Sequence, residues 1–175
     1  MSMIAIARRQ AGDTLIEVLL AIVIISVVIA GAYQATNNGL RIGQNAIERT
    51  QASETTSAQA EALRALRDLK ATNAAASTAW TAIAAKVTST VPSGTVCNTG
   101  GGTPTPGSNA FWLNTSGASV VVTNGTTNKN FLKYWIEAYR PTATSGYIDF
   151  YINGCWQAIG EPKLQDTGIV IRLAT

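Results

Sequence analysis

The sequence predicts an α+β protein: a long N-terminal helical spine packed on a C-terminal antiparallel β-sheet. Three observations predict it. An apolar run from Leu15 to Ala32 is followed by a helix-period pattern, with no proline between Met1 and Val91. The second half then breaks into short β-branched and aromatic stretches separated by turn residues. Two of those stretches alternate on one side only, the mark of an antiparallel sheet with one buried face.

The apolar run comes first. From Leu15 to Ala32 only Glu17 is charged, and Ser26 is the only other polar side chain. At ~1.5 Å per residue the run spans about 27 Å, the thickness of a hydrocarbon core. Arg8 and Arg9 precede it and would hold that end in the cytoplasm, placing the rest of the chain outside. A secretory signal peptide fits part of this pattern: Ala30-Gly31-Ala32 is a small-x-small cleavage site, with Tyr33 next. An uncleaved signal anchor fits as well. Neither explains Glu17, because a carboxylate deep in hydrocarbon costs roughly 2.5–3.5 kcal/mol.

The helix is expected to continue to about Lys70, a length of roughly 87 Å. Leu40, Ile47, Ala58, Ala62, Leu66 and Leu69 form the expected packing stripe. The stripe is weak through "TQASETTSAQ", which reads as exposed or frayed. "AEALRALRDLK" is strongly amphipathic, with Arg64 four residues before Asp68 for an i,i+4 ion pair. Gly31, Gly39 and Gly43 are candidate soft points, and local melting near Gly31 is expected if the helix enters a larger assembly. Ser77 reads as the N-cap of a short helix carrying Trp80, Ile83, Ala84 and Val87 on one face.

Residues 89–109 read as a loop, in which "SGTVCNTGGGTPTPGS" holds Cys97, three consecutive glycines and two prolines. Strands follow at "NAFWLNT", "ASVVVTN", "NFLKYWIEAYR", "GYIDFYING", "CWQAIG" and "GIVIRLA". Ile148, Phe150 and Ile152 share one face; Tyr147, Asp149 and Tyr151 share the other. Ile169, Ile171 and Leu173 also share a face. The Leu63–Leu69 stretch of the long helix is the natural cover for the buried side. "ATSG" and "ING" read as turns of a meander. "TNGTTNKN" reads as a solvated hairpin end, open to contact or modification.

Composition excludes several functions. The 175 residues carry 13 Lys/Arg, 10 Asp/Glu and no histidine. Beyond Gly12 the balance is 11 against 10, so the pI of 9.0 reflects the N-terminal arginines rather than a basic stripe for nucleic acid. Without histidine the commonest general base and metal ligand are both missing. Neither cysteine has a histidine partner, and "TGGGTPTPG" leads into a strand rather than a helix, so it does not read as a phosphate cradle. No catalytic residue, metal or cofactor is expected. Cys97 and Cys155 lie beyond an export signal and are expected to pair, with two free buried thiols as the alternative. Trp112, Trp135, Trp156, Tyr134, Tyr139, Tyr147 and Tyr151 would pack the sheet or line a ligand surface. Asn114-Thr-Ser and Asn124-Gly-Thr match the glycosylation triplet, as chance allows in a chain rich in Asn and Thr.

The stretch "GDTLIEVLLAIVII" resembles the prepilin signature of type IV pilins and pseudopilins. The resemblance covers residues 8–33, under a fifth of the chain. It implies a leader over 1–12, an assembly half of the helix over 13–33, a soluble half over 34–70 and a head over 71–175. It implies that a prepilin peptidase cuts between Gly12 and Asp13 and methylates the new amine on Asp13. Thr14-Leu15-Ile16 match the family's TLI, and Glu17 falls at its assembly glutamate. Asp13 departs from the family's usual Phe, which puts the strength of the amine–Glu17 pairing in doubt.

The implied partners are identical or homologous subunits in a helical polymer, the peptidase and the inner-membrane assembly machinery, and the membrane before assembly. The implied location is single-pass in the inner or cytoplasmic membrane, then an extracellular fibre. A minor or tip pilin, or a secretion pseudopilin, with an adhesive or DNA-uptake role is an alternative. So is a secreted or anchored β-rich domain that forms no fibre.

Overall fold

The structure, a computed structural model, describes residues 13–92, 97, 106–116, 119–129, 132–161 and 163–175. The chain divides into two compact units between Gly43 and Gln44. Helix α1 runs Asp13–Leu69 and a second helix, α2, runs Ala74–Ala84. Six strands follow: β1 Phe111–Ser116, β2 Ser119–Asn124, β3 Thr127–Lys129, β4 Leu132–Tyr139, β5 Tyr147–Gln157 and β6 Leu164–Ala174. Their order is β2-β1-β4-β5-β6, all antiparallel, with β3 paired to β4.

One edge of β4 pairs along its whole length with β5, Leu132↔Trp156 to Tyr139↔Asp149. The other edge is shared by three pieces of chain. β3 takes Leu132 to Tyr134, β1 takes Ile136, and Thr88 forms a parallel bridge at Tyr139.

The predicted α+β arrangement is present, and the helix covers the sheet. The main core joins Ala60, Leu63 and Leu66 of α1 to Ala76, Ala79 and Ile83 of α2 and to Ile136, Ile148, Phe150, Ile152, Ile171 and Leu173 of the sheet. Alternation in β5 and β6 thus points the apolar set at the helices, as the period of two requires.

The predicted stripe is met only in part. Leu66 is buried and Ala62 half-buried as expected, and Leu63 lies with them; Leu40, Ile47, Ala58 and Leu69 are exposed, and Ala52, Thr56, Gln59 and Ala60 are buried in addition. The "TQASETTSAQ" stretch therefore does not fray: it stays helical, buries Ala52, Thr56 and Gln59, and leaves Gln51, Ser53, Glu54, Ser57 and Ala58 exposed. Small side chains there let the helix approach the sheet. A Cβ added at Gly154 would lie 3.4 Å from Thr56 Cγ2, 3.3 Å from Leu132 Cδ1 and 3.1 Å from Thr167 Cγ2. The Thr56 hydroxyl donates to Ala52 O at 3.1 Å, so its burial leaves the donor satisfied.

Four local expectations change. Asn73, not Ser77, caps α2: its Oδ1 accepts from Ala75 N (2.9 Å) and Ala76 N (3.1 Å). Arg64 pairs with Glu61, while Asp68 pairs with Arg67 (2.6 Å). "ING" is no turn: Ile152, Asn153 and Gly154 lie inside β5, which absorbs the two strands predicted on either side. Part of "TNGTTNKN" becomes β3, after a turn at Gly125 with φ +85°. Most of the predicted 89–109 loop lies outside the described residues.

Candidate functional site

In the first unit every Leu, Ile and Val from Leu15 to Ile29 is exposed. Such a helix is apolar all round rather than striped, which suits burial in lipid or among other helices. Two hydroxyls on this unit are satisfied within the helix. Ser26 Oγ donates to Ile22 O (2.7 Å) and Thr36 Oγ1 to Ala32 O (2.9 Å). The helix is long and apolar enough to cross a membrane.

Glu17 is exposed on this segment, one turn beyond Asp13, the first described helical residue. Gly12 lies outside the described residues.

Residues 3–33 match the family model of the prokaryotic N-terminal methylation motif. The chain carries a type IV prepilin signature. The signature supports a pilin-like or pseudopilin precursor processed by a prepilin peptidase, and the apolar helix fits a membrane-anchored precursor. Comparison with the curated proteins and with the solved structures found no significant match.

Beyond the prepilin signature, the head carries a second constructed region on the sheet face opposite the helices. Cys97 is disulfide-bonded to Cys155 of β5, with a Cα–Cα distance of 5.8 Å. Both are buried, in a small cluster with Ala110 and Trp135. The bond joins the segment after α2 to the sheet.

Glu137 of β4 makes a second tie. Its Oε1 accepts from Gly107 N (2.9 Å), and its Oε2 accepts from Trp135 Nε1 (3.3 Å) and Asn153 Nδ2 (3.3 Å). Three donors on one carboxylate spread its charge without a cation. Gly107 has no room for a side chain: a Cβ there would lie 2.6 Å from Glu137 Oε1. The chain between Cys97 and Gly107 is therefore anchored at both ends.

Sequence reading missed Glu137 and Gly107, because nothing local in either stretch marks a contact separated by 30 residues. Further along the same face Asp149, nearly buried, accepts two hydrogen bonds from Arg172 (2.7 and 2.9 Å). That pairing is the main reason the guanidinium is held above its ordinary value. Arg172 also lies 4.0 Å over the Tyr147 ring.

The aromatics are used mainly for packing. Tyr134, Trp135 and Trp156 are buried, and Trp112 meets Tyr134 edge-on at 6.4 Å.

Proposed function

We propose that this chain is a structural subunit of a type IV pilus-like extracellular fibre, acting by polymerisation rather than turnover. Cleavage between Gly12 and Asp13 would free an amine on Asp13, which is then methylated. The apolar helix passes from lipid into a bundle of like helices from identical or homologous subunits, exchanging lipid contacts for helix contacts. Glu17 attracts the amine of a neighbouring copy. That pairing removes two unpaired charges from a low-dielectric region and selects one axial stagger between subunits.

What supports the reading is one observation: an apolar helical run, Leu15 to Ala32, exposed on all sides, whose lone carboxylate is the fifth residue after the glycine of a prepilin signature. N-terminal mass spectrometry of native protein tests the processing. A methylated Asp13 is expected; a start at Tyr33 or Met1 contradicts it. Glu17→Gln is expected to abolish sheared fibres while the membrane-resident subunit stays folded. Normal fibres from that variant would remove Glu17 from the mechanism.

Asp13 favours a second reading, a minor or tip pilin or a secretion pseudopilin. Its carboxylate beside the new amine satisfies part of that charge within one subunit. On this reading the chain alone gives no fibre and enters one only with a major subunit.

A further inference from the structure

Among the described residues β2 pairs only with β1, and β6 only with β5, so these two strands end the sheet. An edge strand of an antiparallel pair turns the N–H and C=O groups of alternate residues outward. Natural edges are usually blunted by lysine, proline or a bulge, because an open edge templates another strand. These two are not blunted that way. β2 has no charged residue and no proline over Ser119–Asn124. β6 has no proline or lysine over Leu164–Ala174, and its two charges are Asp166 and Arg172. Arg172 is held by Asp149 and lies over Tyr147, and the stretch between the two charges, Thr167 to Ile171, is uncharged.

Each edge also exposes one valine. Of the large hydrophobic side chains in the six strands, Val121 of β2 and Val170 of β6 are the exposed ones. Val120 and Val122 pack on the main core, as do Ile169, Ile171 and Leu173. By the period of two, Val121 and Val170 therefore both lie on the sheet face turned away from the helices. Successive neighbours from β2 to β6 are antiparallel, so the first and fifth strands of the order run the same way.

A row of outward backbone donors and acceptors fits an extended polypeptide strand rather than a small ligand. We propose that β6 of one head pairs in parallel with β2 of a second copy, continuing the sheet from subunit to subunit. Two copies standing alike in a fibre bring these edges together with matching direction, and with Val170 and Val121 on one common face. The contact joins two different surfaces, so it leaves a β6 and a β2 free at its ends and repeats without closing. Pairing β6 with β6 would use up both copies' edges in a closed dimer. The proposal rests on the fibre reading above, in which the neighbours of each subunit are further copies of it.

Electron cryo-microscopy of sheared wild-type fibres tests it. The expected result is β6 of each copy beside β2 of a neighbour, parallel, at the ~4.8 Å spacing of paired strands. Val170→Lys, which places a charge on the exposed side of that edge, is expected to lower sheared fibre at least tenfold, with membrane-resident subunit and its disulfide unchanged. Fibres whose β6 edge faces solvent, or pairs with β6 or with a different protein, overturn the joined sheet and leave the fibre reading standing. A normal fibre yield from Val170→Lys does the same. A wild-type chain that enters no fibre overturns both.

Discussion

Gln59 of α1 exchanges two hydrogen bonds with the backbone of Leu113 in β1: Nε2 donates to Leu113 O (3.1 Å), and Oε1 accepts from Leu113 N (3.0 Å). Pairing between β1 and β4 is confined to Phe111↔Ile136. The side chain of Gln59 thus takes the place of a missing strand, inside the core and 54 residues away in sequence. Gln59→Ala leaves a buried donor and a buried acceptor open, so a loss of about 3 kcal/mol is expected. Gln59→Glu should cost more, because a carboxylate cannot donate to Leu113 O. Urea unfolding of the two variants checks the order; an alanine variant as stable as wild type would show that β1 finds other partners.

The Cys97–Cys155 bond links residues 58 apart. The chain-entropy relation gives about 4 kcal/mol for a loop of that length. Replacing both cysteines with alanine should therefore lower thermal stability markedly, and reductant should have the same effect on the wild type. Calorimetry with and without reductant makes the comparison.

Gly107→Ala should destabilise by about 1–2 kcal/mol, because the new methyl drives Glu137 off the Gly107 amide. The carboxylate cannot swing away freely, since Trp135 and Asn153 also hold it. Gly146→Ala is the control: nothing lies within 4 Å of a Cβ there. Hydrogen exchange at residue 107 should rise in the first variant and stay unchanged in the second.

Burial raises the Tyr134 phenol above its ordinary value of 10.0. The folded state then holds the proton more tightly than the unfolded state. The stability from this group is complete below pH 10 and is lost as pH climbs through the folded value. Tyr134→Phe should flatten the alkaline fall in melting temperature above pH 10, relative to wild type. Equal slopes for the two proteins would assign the fall to other groups.

Much of the architecture was legible because it is local. An apolar run without proline makes a helix wherever it lies, and the alternation of Ile148, Phe150 and Ile152 assigns them to one face whatever they meet. The prepilin signature is likewise a string of adjacent residues, as is the place of Glu17 in it. Pairing of Cys97 with Cys155 followed from there being two cysteines beyond an export signal.

Contacts between distant segments were decided by tertiary structure alone. Helical spacing pointed to Leu40, Ile47, Ala58, Ala62, Leu66 and Leu69 as the helix's packing stripe, and of these the sheet covers Leu66 and part of Ala62. The sheet also selected Ala52, Thr56 and Gln59, because close approach over Gly154 needs small side chains and Leu113 needs an amide opposite it. Asn153-Gly154 carries a turn signal by itself. Pairing on both sides, with β4 and β6, holds it extended, and glycine serves there to admit the helix. Local sequence thus determined which segments coil or extend, since backbone preference and side-chain period act within a few residues. Which faces meet depended on shape and hydrogen-bond demand across the assembled core, and no single segment contains that.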